Sequence, residues 1–232
     1  MKHFKKAVSL VALCIASGCA TTQSTSDAQS ERAAEQPASG QSSPEAQRRR
    51  FQGIHSVTVG QNVGIADNPV VYGRAYSVGC MFGAIGCMAA DRTPESLVFK
   101  KTLEDHKIDL KEIVRQEFIS NLTAIQAFPA IVMEGGDANF ELRIISYGLA
   151  PGLSMALTHD RPLKPTLTMW AKLLTRDGKL LWENSEVITA VSDAAPAHKQ
   201  AIYYANPRLI EEGFRKVASA LVKDLLKDLS GK

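Results

Sequence analysis

The chain has 232 residues, of which 45% are hydrophobic, and this is enough apolar material for one domain with a core of its own. Its formal net charge of +3 comes from three lysines among the first six residues. Without those three, the 27 Lys and Arg fall to 24, which equals the 24 Asp and Glu. This balance excludes the strongly basic character on which nucleic-acid binding depends.

The first nineteen residues predict a secretory signal followed by a lipid attachment site. Three lysines precede an apolar run over residues 7–15, which is shorter than the roughly 20 residues that a membrane-spanning helix needs. The residues that follow are Ala16-Ser17-Gly18-Cys19. They resemble the lipobox of bacterial lipoproteins, although that family more often has Leu where Ala16 stands. The resemblance implies cleavage before Cys19 and attachment of fatty acyl chains, palmitate among them, at that residue.

Residues 20–50 contain almost no side chain larger than alanine that a core could bury. Such a segment cannot offset the entropy lost on ordering, so we expect a flexible tether. Ala20 follows the cysteine at a position where Asp would resemble an inner-membrane retention signal, and the outer membrane is therefore expected. The predicted organisation is a signal peptide over 1–18, a lipid anchor and tether over 19–50, and a single folded domain over 51–232.

Two stretches at the start of this domain, 54–63 and 70–72, are typical of short strands. An uncharged run with several glycines follows over 78–90. Small residues at this spacing allow close approach of another chain or of lipid. Three interpretations stay open: a loop buried on the domain core, a contact with a partner or the membrane, and a pinned turn with no further role. The interaction candidates in this run are Gly79, Met81, Phe82, Gly83, Ile85 and Gly86.

The four cysteines have different expected roles. Cys14 lies within the signal and Cys19 is the expected lipidation site, which leaves Cys80 and Cys87. In an oxidising compartment this pair predicts either a disulfide that closes a short loop or two thiols in apolar surroundings. Two cysteines without a nearby histidine do not indicate a metal site.

Two helices are predicted in the first half of the domain from their caps and their 3.6-residue periodicity. Thr93 and Pro94 mark a helix start, although residues 97–99 equally fit a strand. Asp109 begins a capping-box pattern before an apolar stripe that runs through 110–128. The stripe predicts a helix that lies on a sheet.

The second half predicts several strands and a closing helix. The predicted strands are 130–133, 140–144, 167–174, 180–182 and 187–188, and apolar and polar side chains alternate in 140–144 and 167–174. Asp177-Gly178 is a strong hairpin signal, whereas 149–165 is predicted to be a long loop and 192–205 has no predicted element. Asn206 and Pro207 are predicted to cap and start the last helix, in which an apolar stripe runs over 209–229. Its polar face mixes both charges, which favours core packing over a membrane-surface helix.

The order of these elements predicts an α+β fold, with a mostly antiparallel sheet and two amphipathic helices packed on one face. The helix that ends at Phe128, the run 140–144, the turn within 174–183 and the closing helix together resemble a broad group of small envelope lipoproteins. The group includes transport-auxiliary, curli-secretion-type and penicillin-binding-protein-activator lipoproteins. The resemblance is one of architecture over roughly residues 100–230, and it implies an accessory or assembly role.

No catalytic constellation is visible in the sequence. The histidines outside the signal are isolated, and HExxH, GxSxG and phosphate-binding glycine motifs are absent. The pair His159-Asp160 lies in the predicted long loop, where a solvated turn is more typical than a catalytic dyad. We therefore expect no enzyme activity, no cofactor and no metal.

Three functional hypotheses follow. The first is a non-enzymatic lipoprotein, anchored to the periplasmic face of the outer membrane, that binds envelope proteins as an accessory component of assembly or transport. The second is a self-associating or pore-type secretion protein that uses residues 78–90 against lipid or neighbouring copies. The third is a periplasmic carrier of lipids or small molecules.

Overall fold

A mixed sheet dominates the computed structural model, which describes residues 51–72, 93–152, 161–190 and 192–230. The strands in these ranges are β1 (Ser56–Val59), β2 (Gly64–Ile65), β3 (Val70–Val71), β4 (Ala130–Val132), β5 (Ala138–Pro151), β6 (Pro162–Thr175), β7 (Leu180–Ile188) and β8 (His198–Lys199). The helices are α1 (Pro94–Asp105), α2 (Leu110–Ile125), α3 (Gln200–Ala205) and α4 (Arg208–Leu225), and a 3₁₀ turn follows at Lys227–Leu229.

The strand order is β4-β1-β5-β6-β7, with β2 and β3 also pairing with β5, and β8 with β6. The long strands β5, β6 and β7 pair antiparallel, whereas β1, β2 and β3 all run parallel to β5. The α+β class is confirmed, but the sheet is mixed. The parallel part arises because α1 and α2 carry the chain across one face before β4 and β5 begin, and parallel strands need such a crossover.

One face of the sheet, which we call the inner face, packs against α2 and α4. Its centre is the ring of Phe140 on β5, which lies 5.1 Å from the ring of Phe118 on α2 and 5.9 Å from that of Trp182 on β7. Phe99 of α1 contacts the same layer through Phe214 of α4, at 6.3 Å between ring centroids. The apolar stripes recognised in the sequence are therefore the buried sides of these helices.

The helix starts follow the predicted capping chemistry in two of three cases. Oδ1 of Asp109 accepts the N–H groups of Lys111 at 2.9 Å and Glu112 at 3.2 Å. Oγ1 of Thr93 accepts the N–H of Ser96 at 3.2 Å, so the segment that equally fitted a strand is a helix. The third prediction was wrong, because Pro207 stands at the cap of α4 and no side chain caps that helix.

The predicted loop over 149–165 was also wrong at both ends. Strand β5 continues to Pro151 and β6 begins at Pro162, so glycines and prolines that predict a loop lie within strands here. Gly148 allows β3 to pair closely with β5. Pro165 lies on β6 between the residues that pair with β8 and those that pair with β7, so that side of β6 is a free edge at this point and tolerates a proline. The segment 192–205, without a predicted element, holds β8 and α3.

Candidate functional site

The residues singled out from the sequence as sites lie outside the described ranges. They are Cys19, Cys80, Cys87, Gly79, Met81, Phe82, Gly83, Ile85 and Gly86, together with His159 and Asp160. The lipid anchor, the disulfide and the interaction segment therefore stay predictions.

Neither a metal-binding group nor a spanning helix occurs in the described part of the chain. Within it, no three His, Cys, Asp or Glu side chains cluster as metal ligands would. None of its helices has the length and apolar character needed to cross a bilayer. Two of the histidines have partners in the structure. The backbone N–H of His55 donates to Oδ2 of Asp137 at 3.0 Å, and the His198 ring contacts that of Tyr203.

The strongest candidate for a functional surface is the face of the sheet opposite the helices, which we call the outer face. It is formed by alternate side chains of β5, β6 and β7. Its exposed or half-buried residues are Glu141, Arg143, Ile145, Ser146, Lys164, Thr166, Thr168, Trp170, Lys172, Glu183, Ser185 and Val187. Ile145 is 48% exposed and Val187 is 53% exposed, so apolar side chains stand uncovered among polar ones.

A β-bulge gives this face its local shape. Ile144 pairs with Met169 and Ser146 pairs with Thr168, so Ile145 is an extra residue without a partner on β6. The Ser146 and Thr168 hydroxyls lie 2.8 Å apart across the strands. A bulge changes the direction of the side chains around it, and here it leaves Ile145 projecting from the sheet instead of entering the core.

Two shallow pockets adjoin at this bulge. The first, the Trp170 pocket, has a volume of about 360 Å³ and is lined by Ala66, Arg143, Ile144, Ile145 and Trp170. The second, the Val187 pocket, has a volume of about 410 Å³ and extends past Ser146 and Thr168 towards the ends of β3 and β5. Both fall in the size range of ligand-binding sites.

Among the described residues, each basic side chain of the outer face except one has a carboxylate partner. Nζ of Lys172 lies 2.8 Å from Oε2 of Glu141 and 5.1 Å from the centre of the Trp170 ring. The Trp170 indole N–H donates to Oε1 of Glu183. Lys164 pairs with Asp193 at 3.1 Å. The exception is Arg143, whose guanidinium forms no ion pair with any described residue.

One ionisable group in the wall of the Val187 pocket is perturbed. Burial raises the pKa of Tyr147, and the nearby charges of Glu104 and Asp67 act in the same direction. Tyr147 pairs with the buried Leu167 and is itself buried, so its side chain lies on the inner side of the sheet. Among the described residues, the outer face offers the Trp170 indole and the guanidinium of Arg143, which has no ion-pair partner there, as groups for binding.

No protein-family model and no curated protein sequence matches the chain. Among solved structures, the chain is similar to a PelC dodecamer from Paraburkholderia phytofirmans, with 10% identity, 77% of this chain and 88% of that chain covered, and a TM-score of 0.36. It is also similar to a minor lipoprotein from Acinetobacter baumannii, with 10% identity, coverage of 76% and 91%, and a TM-score of 0.37.

A protein from Xanthomonas campestris shows a similar level of likeness, with 9% identity, coverage of 76% of this chain and 86% of that chain, and a TM-score of 0.37. Because all three TM-scores are below 0.5, these likenesses assign neither a fold family nor a function to the chain.

Sequence reasoning did not single out Arg143 or Trp170. The alternation in 140–144 and 167–174 placed both residues on the side of the sheet opposite the core. The signal that could have identified the site was a tryptophan at a position where the alternation predicts a polar, solvent-facing residue. That the two residues are direct cross-strand neighbours follows from the β5–β6 register, which the sequence does not contain.

Proposed function

We propose that the chain is a non-enzymatic lipoprotein, anchored through Cys19 to the periplasmic face of the outer membrane, whose folded domain binds other envelope proteins. Its role is that of an accessory component in envelope assembly or transport. The observation that carries the binding role is the asymmetry of the sheet: helices bury one face, while the outer face leaves Ile145, Trp170 and Val187 at least partly uncovered.

The exposure of these side chains supports binding because an antiparallel sheet that faces water normally presents polar residues on that face. Here an indole and two β-branched apolar side chains interrupt the polar pattern next to two adjoining pockets. Uncovered apolar side chains that adjoin pockets and are bordered by polar residues are characteristic of interaction surfaces.

The anchor is tested by the substitution Cys19→Ser. We expect the unmodified protein in the membrane fraction and the variant in the soluble periplasmic fraction, because the acyl chains supply the affinity for the bilayer. Mass spectrometry of the mature N-terminus gives the second readout. A variant that stays in the membrane fraction would contradict the anchor.

The binding surface is tested by photocrosslinking in intact cells. A photoreactive amino acid placed at Ile145 or at Val187 should give the same discrete adducts with another envelope protein. The matched control is Lys216, an exposed residue on α4 at the opposite side of the domain, which should give none of them. Equal adducts from all three positions, or none from the outer face, would contradict the proposal.

A further inference from the structure

We infer that Arg143, Ile145 and Trp170 form a binding site for a short extended acidic peptide segment. The segment places one carboxylate on the Arg143 guanidinium and an apolar side chain on Ile145 and Trp170. This assignment deepens the proposed function and rests on it, since it names the chemistry that the partner must present.

Arg143 is an exposed basic residue of the outer face that has space around its side chain and no carboxylate partner among the described residues. Across the sheet it pairs with Trp170 on one side and with Gly64 on the other. A Cβ atom at Gly64 would lie 3.2 Å from Cγ of Arg143, so the absence of a side chain there gives the arginine stem its space. The two lysines of this face have carboxylate partners, and Arg143 has none among the described residues.

A guanidinium in this setting favours a carboxylate. Its planar group donates two parallel hydrogen bonds to the two carboxylate oxygens, and the neighbouring indole excludes part of the competing water. The pocket wall next to it is otherwise apolar, formed by Ala66, Ile144 and Ile145. An acidic group attached to an apolar one therefore matches the site better than either alone.

The spacing of the site favours an extended peptide. Arg143 and Ile145 are two positions apart along β5, and side chains two positions apart on a strand stand roughly 7 Å apart. Alternate side chains of an extended peptide repeat at the same distance. The bulge keeps Ile145 on the outer face, so an acidic residue and an apolar residue two positions along such a peptide reach Arg143 and Ile145 together.

The surrounding charges disfavour a polyanionic surface. Glu141 lies two positions before Arg143 on β5, and Glu183 accepts the Trp170 indole N–H. An anionic membrane or a nucleic acid would bring several negative charges against these two carboxylates, whereas a single acidic side chain fits between them. Charge complementarity at this site therefore favours a peptide with one acidic side chain and no other negative charge.

The test is a titration of the full-length protein in non-ionic detergent with two capped peptides, acetyl-Leu-Gly-Glu-Gly-Leu-amide, in which each Leu lies two positions from the Glu, and its Gln counterpart. Trp170 is half-buried and Trp182 is buried, so a change in indole fluorescence on binding reports on Trp170, and its loss in Trp170→Phe verifies this. We expect saturable binding of the Glu peptide that weakens with salt, and at least tenfold weaker binding of the Gln peptide.

Substitutions isolate the guanidinium. Arg143→Gln should weaken binding of the Glu peptide at least tenfold, while Arg143→Lys should retain part of it as a point charge. The matched control is Arg208→Gln, an exposed arginine at the start of α4, which should change nothing. Circular dichroism and urea unfolding verify that each variant is folded, as the exposure of Arg143 leads us to expect.

Four results would overturn the inference. They are equal binding of both peptides, no effect of Arg143→Gln, no saturable change at millimolar peptide, and an Arg143-dependent response to phosphatidylglycerol vesicles that exceeds the response to the peptide. A fifth result, crosslinks from Ile145 and Val187 that persist in Arg143→Gln, would refute this site while leaving the proposed function standing. Absence of those crosslinks would instead refute the function itself.

Discussion

The two faces of the sheet are made by the same three long strands, yet they differ in what their side chains contact. On the inner face, Phe140, Met169 and Leu173 are fully buried beneath the helices. On the outer face, their neighbours along the strands include Glu141, Trp170 and Lys172, which contact one another and solvent. The difference teaches that the packing that stabilises the domain is concentrated on the inner face, whereas the outer face contributes little to the core.

The largest effect is expected from Phe140→Ala at the centre of the inner face. Its ring contacts those of Phe118, Phe128 and Trp182, so truncation should lower the free energy of unfolding by about 3–5 kcal/mol, as measured by urea denaturation. The control is Ile145→Ala on the outer face, which should change it by no more than about 0.5 kcal/mol. Similar losses from both variants would abolish the distinction between the faces.

The next effect is expected from Gly148→Ala, where β3 approaches β5. A Cβ atom at this position would overlap the backbone carbonyl of Val70, so the two strands would have to move apart. We expect a loss of about 1–3 kcal/mol in urea unfolding, accompanied by faster amide exchange in β3. Gly152→Ala is the control, because the nearest atom to its Cβ would be the oxygen of Ala190 at an ordinary 3.6 Å.

A smaller effect is expected from Tyr203→Phe beside β6. The buried hydroxyl donates to the carbonyl oxygen of Leu163 at 3.2 Å or of Pro196 at 3.3 Å, and losing this bond should cost about 1 kcal/mol. Burial also raises the pKa of Tyr203 to about 12, whereas the unfolded chain ionises near pH 10.

Since the pKa of Tyr203 is higher in the folded state, the stability contributed by its protonated hydroxyl is complete below pH 10 and is lost as pH rises towards 12. Unfolding free energies measured from pH 8 to 12 should therefore fall more steeply for the unmodified protein than for the variant. Parallel curves would show that the hydroxyl is not buried as described.

The smallest effect is expected from Asp137→Asn, where β1 and β5 begin. Hydrogen bonds from the N–H of His55, then from the N–H and hydroxyl of Ser56, hold the pKa of Asp137 below its usual value. The folded pKa is the lower one, so this stabilisation is present above about pH 4 and is lost as pH falls through the folded pKa.

We expect the Asp137→Asn variant to be slightly less stable at pH 7 and to show a flatter acid dependence in thermal unfolding between pH 2 and 6. Asp228→Asn, at an exposed position in the final 3₁₀ turn, should leave the acid dependence unchanged. An acid dependence that is unaltered in both variants would refute the hydrogen bonds between Asp137 and the start of β1.

Much of the inner layer was predictable because its signals are local. The alternation in 140–144 and 167–174, the cap at Asp109 and the stripe over 209–229 each report which side of an element is buried, and those sides form the core here. The loop over 149–165 was mispredicted because glycine and proline serve as local markers of turns. Here Gly148 allows a close strand approach instead.

The sequence by itself determined the helices α2 and α4 and the buried sides of β5 and β6, because hydrophobic period and capping depend only on residues a few positions apart. Only the tertiary structure decided that β1, β2 and β3 run parallel to β5, and that Arg143 stands between Gly64 and Trp170. These neighbours are 27 and 79 residues apart along the chain. Their meeting depends on strand register, which is set by packing of the whole sheet and is not readable from any local pattern.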